Sequence, residues 1–336
     1  MNPVLVEITR GSRVESAHRG SIAICDAGGK VFGSWGDIDT AVYPRSAFKS
    51  LQALALVETG AADAFNVTPD ELALSCASHS GEPMHVDRVE RWLERIDCKE
   101  SDLACGPHLP IYEPAAHAMI REGRKPCRVH NNCSGKHTGF LTLARHLGVS
   151  TANYERPDHP VQNLVRMTIA EMCEVEAKSM PIGIDGCAAP NYAIPLRNLA
   201  QGMARLGNTA GLGATRAKAA KRLIDAWREY PELVSGTGRA CTDLIRASSN
   251  RTVVKTGAEG VFTAVLPERG LGVALKIDDG GTRGAETAMA RVLVMLGVAD
   301  ETSAPILKHL KPAVRNWRGD EVGERHVSAA LENTVI

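Results

Sequence analysis

No excess of charge of either sign marks this chain: lysine plus arginine and aspartate plus glutamate number 39 each in 336 residues. With that balance and no long basic run, neither nucleic acid nor an anionic membrane surface is expected as a partner. Nowhere does the chain approach the about 18 consecutive apolar residues that a membrane-spanning helix needs. Met1 to Glu7 has no basic flank and no apolar run of signal-peptide length, so a soluble, cytoplasmic protein is expected. The nine cysteines include no C-x-x-C pair. Odd in number and without an export signal, they read as reduced thiols, some of them available to a metal, and not as a disulfide framework. No internal repeat or low-complexity linker breaks the chain, whose length allows one large domain or two intimately packed lobes.

What is present falls into three blocks. Val4 to Thr9, Ser21 to Cys25 and Lys30 to Trp35 read as short strands, the last two joined by the hairpin turn Asp26-Ala27-Gly28-Gly29. A long helical region follows, with helices expected over 69–77, 85–96, 113–122, 136–147, 160–175, 196–206, 213–229 and 239–247. Strand character returns in 252–256, 261–266 and 271–277, followed by helices over 284–296 and 304–310. Strands at both ends with helices between them predict an α+β fold. One antiparallel sheet is built from both termini (1–45 and 250–336) and flanked by helices, and a mainly helical lobe (46–249) meets it at a cleft.

The stretch Tyr43-Pro44-Arg45-Ser46-Ala47-Phe48-Lys49 stands where a helix is expected to begin, with Ser46 and Lys49 one turn apart on one face. Leu51 to Val57 is apolar on almost every side, so the helix is expected to be buried. A lysine emerging from it must pair with an acid or lose its charge, and no acid lies at helical spacing. Neutral Lys49 then suits the role of base to a nucleophilic Ser46. The competing reading of Ser46 is a plain helix cap.

Three further constellations bear chemistry. Lys255-Thr256-Gly257 lies on a C-terminal strand, where Gly257 would let a substrate backbone come close. S-x-x-K upstream and K-T-G downstream together resemble the penicillin-binding proteins and serine β-lactamases. Ser78-His79-Ser80-Gly81 offers a second hydroxyl, with Ser78 preferred, Ser80 next and Ser134 a further rival. Cys133-Ser134-Gly135-Lys136-His137 and Asp185-Gly186-Cys187 place two thiols on separate loops, a pattern open to zinc with His137, Asp185 or a deprotonated Lys136 as third ligand. Two buried thiols with no metal are the alternative.

Taken together, Tyr-Pro-Arg-Ser-Ala-Phe-Lys from Tyr43, Ala-Ser-His-Ser-Gly-Glu-Pro-Met-His from Ala77, Asn-Asn-Cys-Ser-Gly-Lys-His from Asn131 and Asp-Gly-Cys-Ala-Ala-Pro from Asp185 resemble the asparaginase II family, the rhizobial-type class 3 L-asparaginases. The resemblance implies a serine β-lactamase and glutaminase-like fold and hydrolysis of L-asparagine to aspartate and ammonia by a homodimer. Matched by motif, it implies Ser46 as nucleophile with Lys49 as its base, and Ser78 with Lys255 as a second pair. It implies zinc on Cys133, Lys136 and Cys187, aiding substrate placement, with Asp185 and His137 around it and Arg45 near the substrate carboxylate. Glutaminase or another β-lactamase-like amidohydrolase is the nearest alternative, because one methylene in a pocket discriminates by only about 1 to 3 kcal/mol. A zinc or thiol sensor in which Ser46 does no catalysis is the alternative from another class. If a neutral lysine is the base, ammonia release from asparagine should rise from neutral toward alkaline pH; a flat profile across roughly pH 6 to 10 would count against Lys49.

Overall fold

The computed structural model describes residues 1–332. The chain forms two compact units. The first comprises Met1–Ala47, Ile194–Asn208 and the chain from Asp243 onward; the second comprises Phe48–Ala193 and Thr209–Thr242.

The first unit is organised on strands β1 (Val4–Arg10), β2 (Arg13–Asp26) and β3 (Val31–Trp35), and on later strands numbered here in chain order. A minor pair joins β4 (Ala41–Val42) to β7 (Ile194–Pro195), whereas β5 (Ile182–Ile184) and β6 (Pro190–Tyr192) belong to the second unit. The remaining strands are β8 (Val253–Thr256), β9 (Val261–Leu266), β10 (Leu271–Ile277), β11 (Ala313–Arg315) and β12 (Glu321–Val327). They assemble in the order β11-β12-β1-β2-β10-β9-β8, with β3 pairing β2, and every pairing is antiparallel. Both ends of the sequence thus enter one sheet. The turn at 26–29 closes as the dipeptide chemistry predicts: Gly29 N–H donates to Asp26 O, Gly28 N–H to Asp26 Oδ1, and Gly29 takes φ 84°.

Strands β9 and β10 are buried at nearly every residue. Successive side chains point to opposite faces, so burial at every position requires cover on both. Helices Leu196–Gly207 and Thr282–Met295 pack on these strands. Gly272 of β10 fixes how close the first can come, since a Cβ there would overlap Ala200 O and Ala204 N. The sequence reading placed β9 and β10 at their observed bounds but started β2 eight residues late and missed β11 and β12. Arg13–Ala17 and Glu321–His326 are exposed or half-exposed and rich in charge, so their ladders are backbone pairings without an apolar signature.

The hairpin of β8 and β9 carries Gly257, whose N–H donates to Val261 O at 2.7 Å. The expectation that Gly257 makes room for substrate is corrected by what lies against it. A Cβ there would sit 2.5 Å from Pro44 O and 3.2 Å from Ala47 N. Thr263 Oγ1 also donates to Ala47 O at 2.8 Å, so the segment carrying Ser46 is seated on this edge of the sheet by its own chain.

In the second unit, helix Lys49–Glu58 is buried from Lys49 through Val57 and is surrounded by helices Pro69–Ser75, Ser134–Leu147, Pro160–Cys173 and Ala214–Glu229. Gly135 permits one of these approaches, because a Cβ at that position would overlap Leu74 O. The helix packing therefore brings the loop after Ser75 beside the turn before Ser134. Gly257→Ala should fold but displace Pro44–Ala47, costing about 1 to 3 kcal/mol in denaturant unfolding and lowering turnover severalfold. Gly272→Ala should lose at least as much stability, because a Cβ there would come closer to backbone, 2.1 Å from Ala200 O and 2.3 Å from Ala204 N.

Candidate active site

In the second unit, Lys49 opens its helix, is 1 % exposed, and turns its amine onto three acceptors. Nζ lies 2.5 Å from Ala77 O, 3.0 Å from Ser78 Oγ and 3.0 Å from Cys133 Sγ. None is a carboxylate, as the absence of an acid at helical spacing implied. The three serines weighed as second hydroxyl are separated by their partners. Ser80 Oγ donates to Ser235 O at 2.8 Å, and Ser134 Oγ donates to Val129 O at 2.9 Å while meeting His79 Nε2 at 2.8 Å. Of the three hydroxyls, Ser78 is the one that touches a lysine amine, and that lysine is Lys49.

Cys133 precedes the first turn of helix Ser134–Leu147, its N–H accepted by Asn131 Oδ1 at 2.9 Å. Lys136, one residue beyond that turn's glycine, reaches Cys187 Sγ at 3.0 Å. Cys187 sits in the tight turn joining β5 to β6, where Ala188 holds a left-handed φ of 72° and Asp185 O accepts Ala188 N–H. The Cys133 thiol donates to Cys187, which raises Cys133 and holds Cys187 well below the usual thiol range; the Lys136 charge lowers Cys187 further. Burial alone pulls the Lys136 amine down, but the Cys187 and Cys133 sulfurs outweigh it and push it up. Between the two thiols the geometry thus favours negative charge on Cys187, the sulfur nearer the Lys136 amine.

His137 is fully buried, with Nδ1 at 2.6 Å from Tyr154 OH and its pKa lowered by burial against the opposing pull of Cys187. Its Nε2 is buried without a hydrogen bond of normal geometry. Among the described residues no three His, Cys, Asp or Glu side chains converge as a cation site. A metal held here would take two sulfurs and, as third protein donor, the Lys136 amine. The donor set fits a soft divalent cation such as zinc with one position left open. Asp185, half-buried, directs its charge toward Lys136, and its Oδ1 accepts Gly186 N–H.

In the first unit, Ser46 is half-buried in a single 3-10 turn, Arg45–Phe48, and not in the α-helix expected to start there. Ala47 N–H closes that turn on Pro44 O, and Arg45 enters it at φ 53°. A left-handed non-glycine residue costs roughly 1 to 2 kcal/mol, which the contacts with Gly257 and Thr263 offset. Lys255 lies on β8 and is fully buried, with Nζ donating to Thr256 O at 2.8 Å.

Two contributors escaped the sequence reading. Tyr154 bonds His137 and accepts Ala104 N–H at 2.9 Å, yet belongs to no motif. Asn131, which caps Cys133 and ties Gly106 O at 2.6 Å, stood inside a quoted motif without a role. In metal-stripped protein, Lys136→Met should raise the Cys187 pKa by removing the neighbouring cation. The thiolate absorbance measured at neutral pH should therefore fall, and it should fall again in Cys133→Ala, which removes the donor.

Among curated proteins none matches the chain. Solved structures similar to it include a β-lactamase from Mycobacterium bovis, 14 % identical, covering 82 % of this chain and 94 % of that one at a TM-score of 0.43. An octameric penicillin-binding protein homologue from Pyrococcus abyssi is 14 % identical, covering 89 % and 79 % at 0.35. Mglu in its tris and glutamate form is 16 % identical, covering 85 % and 60 % at 0.39. The family model described as L-asparaginase II matches residues 6–327. By that match across nearly its whole length, the chain belongs to the L-asparaginase II family and so to the amidohydrolases.

Proposed function

We propose that the protein hydrolyses the side-chain amide of L-asparagine to aspartate and ammonia through an acyl-enzyme on Ser46. The observation that carries this reading is the amine of Lys49, the residue three along the chain from Ser46: it is shielded from solvent, bonded to the Ser78 hydroxyl and, among the described residues, without a carboxylate partner. A carboxamide is a poor acyl donor, so it needs an activated nucleophile, oxyanion donors and a proton for the leaving amine. Lys49 in its neutral form takes the Ser46 proton, and Ser46 Oγ adds to the amide carbon. The oxyanion draws on the N–H groups of Ser46 and Ala258, since that of Gly257 is spent on Val261 O. Ser78 passes the proton from Lys49 to the departing ammonia. Water then attacks the aspartyl ester by the same route in reverse, releasing aspartate and restoring the Ser46 hydroxyl. Lys255 supplies the second lysine of the scheme, and Arg45 the charge for the substrate carboxylate.

Zinc is proposed on Cys133, Lys136 and Cys187, with Asp185 and His137 around them. When bound, it supplies a Lewis-acidic anchor for the substrate's polar end, while bond breaking stays with Ser46. A homodimer working in the cytoplasm completes the proposal.

Ser46→Ala should reduce ammonia release by at least about 10³-fold while zinc content measured by mass spectrometry is unchanged. Retained turnover in that variant would return the thiol-centred reading. Intact-mass analysis during turnover should show an aspartyl adduct that peptide mapping assigns to Ser46. A glutamyl adduct accumulating preferentially from mixed substrates would redirect the assignment to glutamine. Cys133→Ser should weaken apparent substrate affinity more than it lowers the maximal rate.

A further inference from the structure

The Lys49 amine is gripped by two loops, not one: Ala77 O and Ser78 Oγ come from the turn after helix Pro69–Ser75, and Cys133 Sγ comes from the turn before helix Ser134–Leu147. What keeps those turns at a constant separation lies directly between them. His79, fully buried, donates its backbone N–H to Asn132 O at 3.1 Å, and its Nε2 lies 2.8 Å from Ser134 Oγ. Its Nδ1 accepts Gly81 N–H at 3.1 Å, so the ring's proton must sit on Nε2 and point at Ser134. The Ser134 hydroxyl in turn gives its own proton to Val129 O at 2.9 Å, completing a chain with one direction.

The ring is also clamped face to face. His85 stacks on it at 4.9 Å between centroids and 13° between planes, and His85 is itself held at both nitrogens, by Glu82 N–H and by Glu232 O. Burial, with the neighbouring His85, holds the His79 pKa well below the ordinary imidazole value. His79 is therefore a neutral, singly oriented donor with no free nitrogen to exchange a proton with substrate.

We propose that His79 is a positioning residue for the Lys49 amine, acting as a strut that fixes the Ser78 turn against the Cys133 turn and so sets the geometry in which Lys49 works. The inference rests on the proposed role of Lys49. It assigns to the histidine of the Ser78-His79-Ser80 triplet a task different from the proton carrying that a histidine between two serines suggests. Displacing a catalytic group by about 1 Å costs about 10²-fold in rate, which sets the size of the expected effect.

The test compares His79→Ala, His79→Gln and Ser134→Ala in the full-length protein, reading kcat and KM for asparagine together with the Lys49 side-chain carbon resonance in lysine-labelled protein. In His79→Ala, kcat should fall about 10- to 100-fold with KM nearly unchanged, and the Lys49 resonance should move. Glutamine carries an N–H at nearly the reach of Nε2, so His79→Gln should recover most of kcat and return the resonance, with the wild-type pH profile. Ser134→Ala, a smaller change that removes only the acceptor, should reproduce the loss if His79→Ala does not fold. An unmoved Lys49 resonance in His79→Ala and Ser134→Ala would overturn the proposal. So would a pH profile that loses its acidic limb in His79→Gln, which would mark His79 as a proton carrier. If the resonance moves but the wild-type protein releases no ammonia from asparagine, the strut stands and the assigned reaction fails.

Discussion

One buried amine sets the terms for the second unit. An ammonium taken out of water costs several kcal/mol unless hydrogen bonds replace its hydration, and a neutral amine costs far less. Lys49 meets a carbonyl, a hydroxyl and a sulfur at 2.5 to 3.0 Å, three acceptors of which none is a carboxylate. The surroundings of helix Lys49–Glu58 keep this amine shielded: every residue from Lys49 to Val57 is buried, and Gly135 allows a neighbouring helix to pass close to Leu74 O.

Cys133 links that amine to a second one. Its sulfur touches Lys49 on one side and gives its proton to Cys187 on the other, where Lys136 completes the row. Two lysines and two cysteines share one buried region, in which sulfurs stand in for the water that the two amines have lost. The same donors suit a cation, and a metal there would replace the Lys136 charge as the partner of both sulfurs. In the first unit the corresponding constraint is steric. Gly257 lets Pro44–Ala47 lie against the edge of the sheet, and the left-handed Arg45 lets the chain turn into the segment that bears Ser46.

Legibility followed the source of the signal. β9 and β10 are apolar apart from Thr263 and Lys276, with glycine-bearing turns on either side, and their bounds were readable to the residue. The first half of β2, with β11 and β12, is held by backbone ladders under charged side chains, and composition says nothing about such pairings. Lys49 buried without an acid was readable, because every position from Leu51 to Val57 but Gln52 is apolar. The start of that helix was not. Whether Ser46 begins an α-helix or occupies a 3-10 turn depends on Pro44 O, Gly257 and Thr263, the last two more than 200 residues away in the chain.

The sequence alone determined which chemistry is present: a serine and a lysine three apart, serines flanking a histidine, two thiols on glycine-bearing turns, and the order of motifs that marks the family. Those are local properties, carried by residue type and spacing. Only the tertiary structure decided which serine touches Lys49, which lysine each sulfur meets, and that His79 spans two turns. Each of these depends on distances between segments 29 to 84 residues apart, fixed by helix packing at Gly135 and by buried hydrogen bonds whose partners no spacing rule connects.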